Sequence, residues 1–334
     1  MDIEEILALS VKHNAADLHL CSGHLPQWRR DGVLEAVPGQ TVVDGALLES
    51  WARRWLTAAQ QACFESSGQV DFAFSAAEGA RVRASLFEQR AGLSLALRLI
   101  ASTPMALEAL QAPKMIEKLL RERDGLILVT GATGSGKSST LAAMVAALNQ
   151  RGARHILTLE DPIEFVHHSQ HSLIQQREIG QHCCSYQQGL RAALRADPDV
   201  ILLGELRDIE TIRLALTAAE TGHLVLTTLH TRGATQAVER LVDVFPGEEK
   251  SAVRSQLAGS LKAVIAQRLV PARQGGRVAL FELLLNTPAV ANLIREGKSH
   301  QLPAVLQTGA QAGMQSFEQC LRERVSAGLV AEEV

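Results

Sequence analysis

The chain has 334 residues, 46% hydrophobic and 21% charged, with a formal net charge of −3. That length suffices for two domains with separate cores, while the composition excludes long disordered stretches and a global basic field, which argues against nucleic acid as a partner. No apolar run is long enough to span a membrane, and the N-terminal MDIEEILALSVKHNAADLHL lacks the basic start and apolar centre of a signal peptide, so a cytoplasmic location is expected. The cysteines Cys21, Cys63, Cys183, Cys184 and Cys320 are odd in number and scattered, which predicts reduced thiols and no cysteine metal site.

In chain order, apolar spacing predicts a helix over Ile3 to His13, then β-type runs at Asp17 to Cys21, Val70 to Phe74 and Ala80 to Phe87, the pattern of a small α/β domain. Pro104 and Pro113 bracket a short helical stretch in Ala101 to Pro113, where a linker is expected. Beyond it, the runs Gly125 to Thr130, His155 to Glu160, Val200 to Gly204 and His223 to Leu229 alternate with helical patterns. Such alternation predicts a mostly parallel sheet covered by helices. From Thr235 onward the pattern is predominantly helical, broken by one β-like run at Arg277 to Leu285.

Four blocks carry chemistry. Gly131-Ala132-Thr133-Gly134-Ser135-Gly136-Lys137-Ser138, followed by Ser139, fits G-x-x-x-x-G-K-[ST] between a strand and a helical run, as a phosphate loop requires. Its backbone N–H groups would cradle phosphates, Lys137 would meet the outer phosphates and the Ser138 hydroxyl would reach Mg²⁺; the alternative is a chance glycine-rich turn. Glu205 ends the apolar run Val200 to Gly204, where such enzymes place the acid that holds the water shell of the metal; the alternative is a solvated strand-end carboxylate. Glu160, Asp161 and Glu164 follow another strand, and Glu164 is the candidate to orient or deprotonate an attacking water, unless it is a helix cap or loop residue. His223 and His230 flank a fourth strand; His230, at the carboxyl end, can hydrogen-bond a γ-phosphate, and both can equally be satisfied strand-end histidines.

Taken in chain order, the blocks at 131–138, 157–164, 200–205 and 221–231 resemble the Walker A, Asp box, Walker B and His box of the type II secretion and type IV pilus motor ATPases. Ala16-Asp17-Leu18-His19-Leu20, Val242 to Pro246 and Gln267-Arg268-Leu269 are similar to further landmarks of that family, so the resemblance spans nearly the whole chain. The absence of cysteine between Pro271 and Arg277, the short N-terminal region and the segment Ala289 to Glu296 look like the pilus retraction, or twitching-motility, class. Ala291 and Asp124 stand where that class has arginine, and Ala132 where proline is common.

The resemblance implies an α/β protein with a PAS-like N-terminal domain (1–101), a linker (102–113) and a RecA-like core with a helical C-terminal region (114–334). It further implies ATP and Mg²⁺, a homo-hexamer, an inner-membrane pilus or secretion platform as partner, and a homologous motor ATPase as a second one. Arg81, Arg83 and Arg98 are candidates to reach phosphates or a neighbouring subunit, the alternative being a solvated strand face. Competing functions are a secretion or pilus-assembly motor, a weakly hydrolysing accessory ring subunit, and a nucleic-acid translocase.

Overall fold

The computed structural model describes residues 2–13, 15–30, 32–76, 81–100 and 103–332. The chain divides into two compact units, one of Met1–Thr103 with Pro162–Val166 and one of Pro104–Asp161 with His167–Val334.

The first unit runs α1 (Ile3–Lys12), β1 (Asp17–Cys21), β2 (Gln27–Arg30), β3 (Val33–Ala36), α2 (Gly45–Arg53), α3 (Ala58–Ser67), β4 (Gln69–Ser75), β5 (Arg81–Gln89) and β6 (Gly92–Ile100). Its strands form an antiparallel sheet in the order β3-β2-β1-β6-β5-β4. Strict alternation along β5 sends Val82, Ala84 and Leu86 inward, where they join Ile3, Ile6 and Leu7 of α1 and Leu48 and Trp51 of α2. The run expected from Ala80 begins at Arg81, Ala80 itself lying outside the described residues.

The second unit runs α4 (Lys114–Leu119), β7 (Gly125–Thr130), α5 (Lys137–Arg151), β8 (His155–Glu160), β9 (Leu173–Glu178), α6 (Tyr186–Ala193), β10 (Val200–Leu203), α7 (Ile209–Glu220) and β11 (Leu224–Leu229). It continues through α8 (Ala234–Asp243), α9 (Lys250–Ser260), β12 (Leu261–Pro271), β13 (Arg277–Leu285), α10 (Pro288–Arg295), α11 (Leu302–Thr308) and α12 (Phe317–Ser326). The sheet order is β13-β12-β7-β11-β10-β8-β9, parallel throughout except for the antiparallel β12–β13 pair. Two apolar clusters cover its faces, and β7 and β11 are buried at every position, which explains sequences whose only polar side chains are the threonines Thr130, Thr227 and Thr228. No helix among the described residues is long and apolar enough to cross a membrane.

The expectation of a helical C-terminal part broken by one strand is corrected at Leu261–Pro271. This segment is a strand lying between β7 and β13, not a helix. A short apolar run buried on both faces has no period that separates strand from helix, and its partners lie far off in the sequence. The edge strand β9 was also illegible, because its LIQQRE sequence is half exposed and polar.

Candidate active site

Strands β7, β11, β10 and β8 all end at the same edge of the sheet, with Thr130 paired to Leu229 and Leu203 to both Thr227 and Leu159. The loops that follow carry the predicted chemistry, as expected where ligands bind to parallel sheets. The loop after β7 turns through Gly131, Gly134 and Gly136 at φ +153°, +77° and +91°. A Cβ at Gly131 would lie 2.3 Å from the Gln267 carbonyl, and one at Gly136 would lie 2.7 Å from Gln267 Nε2. Gly134 has open space around it, so its glycine is needed for the backbone angle alone.

Gly136 is the N-cap of α5 and offers no side-chain cap, so the first amides of this 15-residue helix are left for a ligand. Ser135 Oγ is buried with no hydrogen-bond partner, and Lys137, 8% exposed, donates to the Gly131 and Ala132 carbonyls, each at 2.9 Å. An ammonium held against loop carbonyls, beside uncapped amides and an orphaned hydroxyl, is a donor set that suits phosphate oxygens. Ala132, Thr133 and Gly134 are exposed on the loop, Ser138 is exposed on the first turn of α5, and Ser139 is half-buried beside it.

The loop is held from behind by a residue that its own sequence does not disclose. Thr140 Oγ1 donates to Gln267 Oε1 at 2.6 Å, and Gln267, 2% exposed on β12, also packs under Gly131 and Gly136. The available signals were the polar pair Gln267-Arg268 after an apolar run and its place in the landmark Gln267-Arg268-Leu269. Thr130 makes a second brace: its hydroxyl accepts the Thr231 N–H at 3.0 Å and lies within donating reach of the Leu229 and Thr231 carbonyls.

Across the edge, His230 stands between the loop lysine and the strand-end acid. Its Nδ1 lies 3.5 Å from Lys137 Nζ and its Nε2 3.2 Å from Glu205 Oε2. Glu205 is set by neighbours, since Gly204 N–H donates to Leu159 O at 2.8 Å and Leu206 N–H to Thr228 O at 3.1 Å. Arg207 ion-pairs with the same carboxylate and reaches Asp161 at 3.6 Å. Burial pushes the Glu205 carboxyl up, but Arg207 and then His230 outweigh it and hold the group below its ordinary range. An ionised acid therefore sits beside the loop. His223, at the other end of β11, bonds the Ala218 carbonyl at 3.1 Å and takes no part.

Of the three carboxylates after β8, Glu160 accepts Thr158 Oγ1 at 2.6 Å and Gln176 Nε2 at 3.1 Å, and Asp161 faces Arg207. Glu164 falls in the Pro162–Val166 segment of the first unit, where it pairs with Arg83 at 3.7 Å. Arg81 Nε there donates to the Ile163 carbonyl at 3.1 Å, and Arg98 pairs with Asp17 at 2.8 Å.

Comparison with known proteins agrees with this geometry. A family model described as type II/IV secretion system protein matches residues 62–274. The uncharacterised Escherichia coli protein YggR is 63% identical over 328 residues, covering 98% of this chain and 99% of that protein. The type IV pilus retraction ATPase PilT of Pseudomonas aeruginosa is 46% identical over 333 residues, covering 100% of this chain and 96% of that protein. A crystal structure of the pilus retraction motor PilT with bound ADP superposes with a TM-score of 0.91 at 40% identity, over 100% of this chain and 95% of that one. With a glycine loop, lysine, acid and histidine gathered at one sheet edge and a family match over most of its length, the chain belongs to the type II/IV secretion system protein family.

Proposed function

We propose that this protein is a P-loop ATPase that powers type IV pilus retraction. The observation that carries the proposal is the meeting of Lys137, His230 and Glu205 beside the glycine loop, in a chain similar from end to end to PilT. ATP binds on the amides of Gly131 to Ser139, with Lys137 against its outer phosphates. The Ser138 hydroxyl and, through water, the Glu205 carboxylate would hold Mg²⁺, which neutralises phosphate charge. Glu164 orients the attacking water, and His230 bonds the γ-phosphate and transmits its loss to the chain that follows.

The first unit is read as PAS-like (1–101), joined by a linker (102–113) to a RecA-like core with C-terminal helices (114–334). Six copies form a ring in the cytoplasm, held at the inner membrane by a pilus or secretion platform protein and working beside a homologous motor ATPase. A second function, an accessory subunit that hydrolyses ATP weakly, is left open by Asp124 and Ala291, which stand where the retraction class has arginine, while the acids Glu164 and Glu205 argue against it.

Phosphate release measured against enzyme concentration, with light scattering in parallel, tests the proposal. Specific activity should rise as rings form, because ATP favours the assembled state. A fully active monomer at constant specific activity contradicts the motor, and no release at any concentration contradicts the self-sufficient ATPase.

A further inference from the structure

Helix α8 starts at Ala234, four residues beyond His230, and its start is secured from outside. Its N-cap is Gly233, which supplies no side-chain cap. The Glu282 carboxylate of β13 supplies the cap instead, accepting the Ala234 N–H at 2.8 Å from 48 residues away. A Cβ on Gly233 would lie 3.3 Å from that same oxygen, so a glycine here leaves room for the foreign cap.

The start of α12 at Phe317 also lies beside Glu282, and burial holds the Glu282 carboxyl above its ordinary range despite the nearby Ala234 and Phe317 amides. The half-buried Glu282 thus holds the N-terminus of α8 from another strand, where the helix dipole favours a carboxylate. Its cross-strand partner on β12 is Ala266, adjacent to the Gln267 that braces the phosphate loop. Between His230 and α8 the backbone is held by Thr130 at Thr231 and by Thr231 Oγ1 donating to the Gly233 carbonyl at 3.1 Å. The His230 side chain is 54% exposed, so its position depends on this backbone more than on packing.

We infer that Glu282 is a positioning residue for ATP hydrolysis: by capping α8 from β13 it sets the Thr231–Gly233 turn, and through it the place of His230 against Lys137 and Glu205. The inference rests on the assignment of those three residues to the nucleotide site.

The test is a double-mutant cycle in the full chain, reading kcat and KM for ATP in Glu282→Ala, Glu282→Gln, His230→Ala and Glu282→Ala/His230→Ala. Glu282→Ala should lower kcat about tenfold with little change in KM, and Glu282→Gln, which keeps an acceptor oxygen, should restore most of the loss. In the His230→Ala background the Glu282→Ala loss should vanish. Gly233→Ala, which crowds the carboxylate without removing it, should lower kcat in the same direction, and it serves if Glu282→Ala does not fold. Additive losses, or a glutamine variant as impaired as the alanine one, overturn the inference and leave the site assignment standing. A fully active His230→Ala overturns the site assignment itself, and this inference with it.

Discussion

Both ends of the seven-stranded sheet carry polar side chains, and they use them differently. At the amino end each group is closed off by a near neighbour: Lys262 pairs with Asp124 and Glu122 at 3.1 and 3.4 Å, the His155 amide donates to Asp199 at 2.7 Å, and His223 bonds the carbonyl of Ala218. At the carboxyl end, Lys137, Glu205 and His230 come from three different loops and meet at 3.2 to 3.5 Å, beside a buried hydroxyl with no partner. Strand direction explains the difference. In a parallel sheet every loop at one edge follows a strand and can be extended toward a common ligand, whereas the other edge mostly receives returning helices. Of the two histidines that flank β11, His223 bonds the Ala218 carbonyl, while His230 stands between Lys137 and Glu205.

If the carboxyl end is the working end, neutralising its acid should have a large effect. Glu205→Gln should lower the rate of ATP hydrolysis about 10²–10³-fold in a folded protein, because it removes the charge that faces the site while keeping its shape. Phosphate release at saturating ATP checks this, and an unchanged rate would make Glu205 a solvated strand end.

Next in size is the cradle itself. Gly136→Ala forces a side chain into φ +91° and against Gln267 Nε2, and should cost about 1–2 kcal/mol from the backbone term alone, read as a lowered midpoint in urea. Wild-type stability would mean that the loop is not braced from β12.

The smallest effect sharpens the comparison through pH. The folded Glu205 carboxyl lies below its ordinary 4.5, so between its folded and unfolded values the unfolded chain binds more protons, and stability rises with pH there. The contribution is complete above the ordinary value and is lost as pH falls through the folded one. The difference in Tm between wild type and Glu205→Gln should therefore be flat near neutral pH and shrink below about pH 4.5. Because Arg207 is 60% exposed, the change is modest.

Much of the carboxyl end was legible in the sequence because its chemistry is local. Lys137 follows from the spacing of Gly131 and Gly136, and the ends of β7, β10 and β11 follow from apolar runs that stop at polar residues. What holds those residues in place was not legible. Gln267 reaches Thr140 across 127 positions, and Glu282 reaches Ala234 across 48, and no spacing rule connects such pairs. The strand that carries Gln267 read as part of a helical region because its burial on both faces removes the alternation that marks a half-buried strand. Glu164 shows the same limit in another form, since its pairing with Arg83 and its place in the first unit depend on packing over 81 residues of chain.

The most direct test sets the two ends side by side: phosphate release by wild type, Lys137→Ala and His223→Ala, each checked for native secondary structure by circular dichroism. The account predicts that Lys137→Ala abolishes turnover while His223→Ala stays within about twofold of wild type, since the proposal sets Lys137 against the outer phosphates and His223 bonds the Ala218 carbonyl at the opposite end. Wild-type turnover in a folded Lys137→Ala, or its loss in a folded His223→Ala, would contradict the account.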